Sequence, residues 1–135
     1  MQPGIPSVDE LKRTVAASDG VLFSTSEYNH GIPGVLRNAL DWLSHSVSES
    51  CFKDKPVSII GSSMAFTGGV RVQFQLPETL ISMHAHLVVG PEVVVGGGHR
   101  NFSDKTYTEQ AGTTLMLQSL GRLRNAVLRR SPVAA

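Results

Sequence analysis

The sequence predicts an α/β chain, a doubly wound parallel sheet with helices on both faces. Three observations carry this. Short apolar runs bounded by glycine and proline alternate with stretches of helical periodicity, in the order α-β-loop-α-β-loop-α-β-α. The chain has 135 residues, of which 41% are hydrophobic and only 17% charged, which suits a single well-buried domain over residues 1–135. Two loops leave the ends of strands and are rich in glycine and hydroxyls, as ligand loops at the carboxyl ends of such sheets are.

Each element has its own reason. Ser7 with Glu10 three residues on reads as a capping box, and Val8, Leu11 and Val15 follow at helical spacing, so a helix is expected from about Val8 to Ser18. Asp19-Gly20 ends it, and Val21 to Thr25 reads as a short buried strand. The polar loop Ser26–Gly34 follows. Val35, Leu36, Ala39, Leu40 and Leu43 mark one face of a second helix, with Pro33 suited to its first turn. Trp42 lies off that stripe and points to a subunit contact or to partial burial at the sheet edge. Lys55-Pro56 introduces a strand from Val57 to Gly61, and Ser62 to Gly69 forms a glycine-bearing loop. Val70 to about His86 reads as helix despite Pro77, which must remove a hydrogen bond or bend it. Leu87 to Val95 is a third strand region that Gly90-Pro91 divides into two pieces or bends, and Gly96-Gly97-Gly98 closes it. Tyr107 to Arg130 is a long helix, with Arg129 and Arg130 matched to the negative pole of its dipole.

Composition excludes several function classes. A net charge of +1, from 12 Lys+Arg against 11 Asp+Glu, gives no electrostatic footprint for nucleic acid. The longest uncharged run, Pro56 to Val70, is broken by glycines and falls short of the roughly 20 apolar residues a bilayer span needs. No basic segment followed by an apolar stretch opens the chain, so neither a signal peptide nor a membrane is expected and the cytoplasm is the expected compartment. One cysteine, Cys51, permits no internal disulfide and no cysteine metal cluster. The histidines at 30, 45, 84, 86 and 99 lack zinc-ligand spacing, so no metal is expected. Ser62 and Ser63 lack the Gly-x-Ser-x-Gly elbow of a hydrolase.

The chemistry is expected in the two loops. The first offers backbone N–H groups, an acid, an aromatic and an amide in sequence, which can lie along the edge of a flat heteroaromatic ring. Gly61 to Gly69 could close the other side of the slot, with glycines allowing close approach and Met64 or Phe66 packing near the ring. Read from the residues alone, Glu27 and Asn29 are equally ordinary turn residues.

The run Ser-Glu-Tyr-Asn-His-Gly-Ile-Pro-Gly-Val-Leu-Arg-Asn-Ala-Leu-Asp-Trp-Leu-Ser at 26–44 resembles the signature of NAD(P)H-dependent FMN reductases, flavodoxin-like enzymes that include the quinone and chromate reductases. Gly68 to Leu76 and Pro91-Glu92 are similar to the same branch, and the resemblance runs from Val8 to about Val127. It implies bound FMN that takes a hydride from NADH or NADPH and passes electrons to a small-molecule acceptor: a quinone, another flavin or an oxidised metal species. It implies that Ser26, Glu27, Tyr28 and Asn29 frame the flavin ring, partly through backbone groups, with Ser62, Ser63 and Met64 on the opposite side. No side chain is required as acid or base, so no catalytic residue is named. A homodimer or homotetramer is implied as well.

The departures from the family pattern carry expectations of their own. Family members begin with a strand, a Gly-Ser-x-Arg phosphate loop, a helix and a second strand, to which nothing here corresponds. The resemblance therefore implies an N-terminally truncated flavodoxin-like sheet with three strands retained. A second reading, of a different class, is a degenerate module that binds no FMN and serves as an interaction partner or inactive fragment. Ser26 stands where the family has proline, Pro77 where it has arginine, and Phe74 where it has tyrosine. Arg71 and Glu92 could pair within or across subunits, or stand on the surface.

Overall fold

The computed structural model describes residues 4–45 and 49–130. Four helices, α1 (Pro6–Ala17), α2 (Gly34–Leu43), α3 (Val72–Ser82) and α4 (Gln110–Arg130), alternate with the strands β1 (Val21–Ser26), β2 (Pro56–Ser62), β3 (His86–Leu87) and β4 (Val93–Val95). All strand pairings in this sheet are parallel. β2 is central: β1 flanks one edge over its whole length, from Val21 opposite Val57 to Ser26 opposite Ser62. On the other edge β3 pairs with Pro56–Val57 and β4 with Ile60–Ser62. The expected third strand is therefore one position occupied by two pieces, divided at Gly90-Pro91 as its sequence implied.

Alternation decides what each face of the sheet meets. Val21, Phe23, Val57, Ile59 and Leu87 pack toward a core formed with Val15, Leu40, Leu43, Phe52, Val72, Leu76, Leu80 and Met83 of α1–α3 and their connections. Phe23 and Phe52 stack there with centroids 5.9 Å apart. The alternate residues, Ser58 and Ile60 among them, face α4, which packs on β2 and β4. Leu40, Leu76 and Leu80 are at most 1% exposed, and each such burial is worth about 2 kcal/mol.

The structure corrects several element boundaries. The Ser7–Glu10 capping box does not form: Ile5 is the N-cap and Pro6 opens α1, because the fixed φ of proline is already helical. Pro33 likewise stands before α2, as its N-cap, and not in its first turn. Both strands run one residue further than expected, so Ser26 and Ser62 belong to β1 and β2. Helix α3 stops at Ser82, four residues short, because His84 turns left-handed (φ 64°) and the N–H groups of His84 and Ala85 donate back to Ile81 O and Leu80 O. Pro77 sits inside α3 without ending it. Tyr107 is not helical. It belongs to a hairpin, β5 (Phe102–Ser103) with β6 (Thr106–Tyr107), turned by Asp104 and Lys105 at φ 46° and 65°. The long helix starts only after Glu109, whose carboxylate accepts the N–H groups of Ala111 and Gly112.

Candidate functional site

Parallel strands present their carboxyl ends on one side, and three loops meet there. Residues 27–33 follow β1, residues 63–71 follow β2, and residues 96–101 follow β4. Ser26 pairs in register with Ser62, and Glu27 N–H donates to Ser62 O at 3.3 Å, so the first two loops leave the sheet side by side. Ser63 N–H donates to Val95 O (3.1 Å), while Gly97 and Gly98 donate to Ala65 O and Ser63 O (3.2 and 3.1 Å), which ties the third loop to the second. Glycine is required where these loops cross: Gly68 has φ 65°, and a Cβ there would meet Gly96 N at 2.8 Å.

The first loop is a two-residue turn. Tyr28 and Gly31 exchange backbone hydrogen bonds of 3.0 and 2.9 Å, and Asn29 and His30 between them have φ 46° and 63°. Gln75 of α3 holds this turn from outside, accepting from Ile32 N–H at 3.2 Å and donating to His30 O at 3.2 Å. The backbone N–H groups of Asn29, His30, Met64 and Phe66 have no protein acceptor among the described residues. Main-chain donors of this kind are what the edge of a heteroaromatic ring needs.

The side chains expected at the site divide into two groups. Glu27 is committed inward: its carboxylate is 7% exposed and takes Arg71 Nη1 at 3.1 Å and Arg71 N–H at 3.0 Å. Arg71 thus pairs with Glu27 and not with Glu92, because the start of α3 lies across the end of β1. Ser62 donates to Val95 O at 3.3 Å, and Ser63 Oγ accepts Ala65 N–H at 3.1 Å. Tyr28 (66% exposed), Met64 (74%) and Phe66 stand open to solvent, as does Asn29. Met64 and Phe66 border a cleft of about 510 Å³ with Gly96, Gly97, Arg100 and Asn101.

Sequence reasoning did not place Gln73, Gln75 or Arg100 near the site. Gln73 Nε2 donates to Ile59 O and Val93 O, at 3.3 and 3.0 Å, and so bridges β2 to β4. For Gln73 and Gln75 the sequence signals were the family-like stretch Gly68 to Leu76 and its polar side chains at alternate positions 71, 73 and 75 inside a segment read as helix; Arg100 had none. Away from the loops, Trp42 is 41% exposed and packs against His45 at 5.6 Å. Burial pushes the Cys51 thiol up, which leaves it protonated and a poor nucleophile.

Comparison with known proteins fits this geometry. The family model for NADPH-dependent FMN reductase matches residues 2–100. The chain is 37% identical over 97 residues to the NAD(P)H-dependent FMN reductase of Pseudomonas aeruginosa, covering 72% of this chain and 52% of that protein. It is 38% identical over 96 residues to the quinone reductase of Escherichia coli, covering 70% and 50%. The solved structure of FerB, a flavoenzyme NAD(P)H:(acceptor) oxidoreductase from Paracoccus denitrificans, superposes with a TM-score of 0.75 at 29% identity, covering 92% of this chain and 67% of that one. The chain spans about half the length of the curated relatives it matches. With the parallel sheet, the loop signature and these matches in hand, the chain belongs to the NADPH-dependent FMN reductase family.

Proposed function

We propose that this chain acts as an NAD(P)H-dependent oxidoreductase of the FMN and quinone reductase kind, accepting electrons from NADH or NADPH and delivering them to a quinone, a flavin or an oxidised metal species. The observation that carries the proposal is the row of unpartnered N–H groups at Asn29, His30, Met64 and Phe66, on two loops that the parallel register sets side by side. When bound, FMN supplies the hydride acceptor and the two-electron donor. The protein's part is binding and orientation. Ser26, Glu27, Tyr28 and Asn29 would hold one side of the ring, with Glu27 acting through its backbone because its carboxylate is occupied by Arg71. Ser62, Ser63 and Met64 would line the other. Exposed Met64 and Phe66 give the cofactor or the acceptor an apolar surface to cover.

We further propose a cytoplasmic homodimer or homotetramer built from residues 1–135 as one domain. Exposed Trp42 and Phe74 support association, and the net charge of +1 argues against a nucleic-acid partner. No helix among the described residues is long and apolar enough to cross a membrane.

Titrating FMN into the purified chain tests the central reading. Saturable quenching of flavin fluorescence at micromolar concentration, followed by NADPH-dependent quinone reduction, is expected. No quenching at any concentration would overturn it and leave the module that binds no FMN.

A further inference from the structure

A second polar site lies in the middle of the sheet, away from the three loops. Between β3 and β4, residues 88–92 leave the sheet, and a cavity of about 190 Å³ opens beside Ser58 and Ile59 of β2. Ser58 and Ser119 of α4 line it and are only 5% and 4% exposed; neither hydroxyl has a hydrogen-bond partner among the described residues, and what accessibility each oxygen keeps is toward the cavity. Hydroxyls open to a cavity and without a protein partner are free to bond a molecule that enters it. One helical turn on from Ser119, the Arg122 guanidinium enters the same cavity. It lies so close over Gly90 that a Cβ there would meet its Cζ at 2.7 Å, and it spends one N–H on Pro91 O at 3.3 Å. Leu87, Val88 and Pro77 supply apolar wall.

These groups share one property: each can donate. Two hydroxyls and a guanidinium converge on a space that an acceptor-only group satisfies, and a carboxylate has about four lone-pair sites to offer. The charge is also limited. Arg122 is half-buried and contributes one positive charge, while Glu92 at the rim is exposed and stands against a second negative one. The volume equals about six waters of liquid, which is room for a short acid and not for a nucleotide.

We propose that this cavity binds a small monocarboxylate, its head on Ser58, Ser119 and Arg122 and its alkyl end on Leu87, Val88 and Pro77. The site shares no residue with the loops proposed to hold flavin, so it stands or falls apart from that reading.

The test is a titration of the whole 135-residue chain with sodium propionate, read by amide NMR shifts and by thermal melting, against sodium chloride at equal ionic strength. Saturable binding is expected, with shifts at Ser58, Ser119, Arg122 and residues 88–92 and a rise in Tm that chloride does not give. Ser119→Ala and Arg122→Gln should each weaken it about tenfold. If Arg122→Gln fails to fold, Ser119→Ala alone decides. Propionamide and the dianion succinate should bind much more weakly than propionate. Propionate acting like chloride, an unchanged affinity in Ser119→Ala, or propionamide matching propionate would each overturn the proposal.

Discussion

Glu27, expected beside a flavin ring, has a side chain that the fold commits elsewhere. Its carboxylate is turned into the protein and held twice by Arg71, once by the guanidinium and once by the backbone. Arg71 is 44% exposed, so solvent screens the pair, and a coupling of about 1 kcal/mol is expected between Glu27→Gln and Arg71→Ala. Urea denaturation of the two single variants and the double variant measures it, and additive losses would contradict it. Glu109 yields a pH prediction. Hydrogen bonds from the N–H groups of Gly112 and Ala111 hold its carboxyl below the usual range. A carboxyl lowered by folding stabilises above its unfolded value of about 4.3, and that contribution is lost as pH falls through the folded value. The Tm advantage of the parent over Glu109→Gln should therefore be present at about pH 6 and shrink as the pH falls below the unfolded value. An advantage that did not change with pH would exclude this origin.

Among the elements, the loops around the sheet's carboxyl end are set by where glycine is unavoidable. Gly68 and Gly97 share nearly the same φ, 65° and 60°, but a Cβ at Gly68 would strike the backbone of the third loop while one at Gly97 meets nothing within 4 Å. Gly97→Ala should cost only the conformational penalty, about 1 kcal/mol, and Gly68→Ala about 2–3 kcal/mol. Equal losses in chemical denaturation would show that the loops are not in the contact described. The helix ends were less legible than the helices themselves. His84 terminates α3 in a left-handed conformation usually given to glycine, and Asp104-Lys105 turns a hairpin without the Asn-Gly or Asp-Gly signal. Neither residue type announces such a role, so α3 was expected to run too far and α4 to begin too early.

At the scale of the whole molecule, β2 is paired on both sides, whereas β1 has β2 on one side and no strand on the other among the described residues. An edge carrying Val21, Leu22 and Phe23 with unpaired backbone groups is a template for association between chains. Ser24 is exposed on that strand, and Ser24→Lys should lower concentration-dependent self-association while leaving the far-UV spectrum unchanged. Sedimentation velocity over a range of concentrations reads this out. Identical behaviour of parent and variant would show that chains do not meet through β1.

The alternation of apolar runs and helical stripes was enough to determine the α/β class, the parallel sheet and the two loops at its carboxyl end, because burial periodicity is a local property of the chain. The 26–44 run was enough to point to the family, because seventeen further residues follow Ser26-Glu27 in an order that few other sites need. What the tertiary structure alone decided is how side chains are spent. It turned Glu27 inward to Arg71, brought Gln75 across to the Tyr28–Gly31 turn, used Gln73 to bridge two strands, and left Ser58 and Ser119 facing each other's cavity without partners. Each of these brings together residues 14 to 61 positions apart, and such neighbours exist only once the sheet has fixed which elements lie side by side.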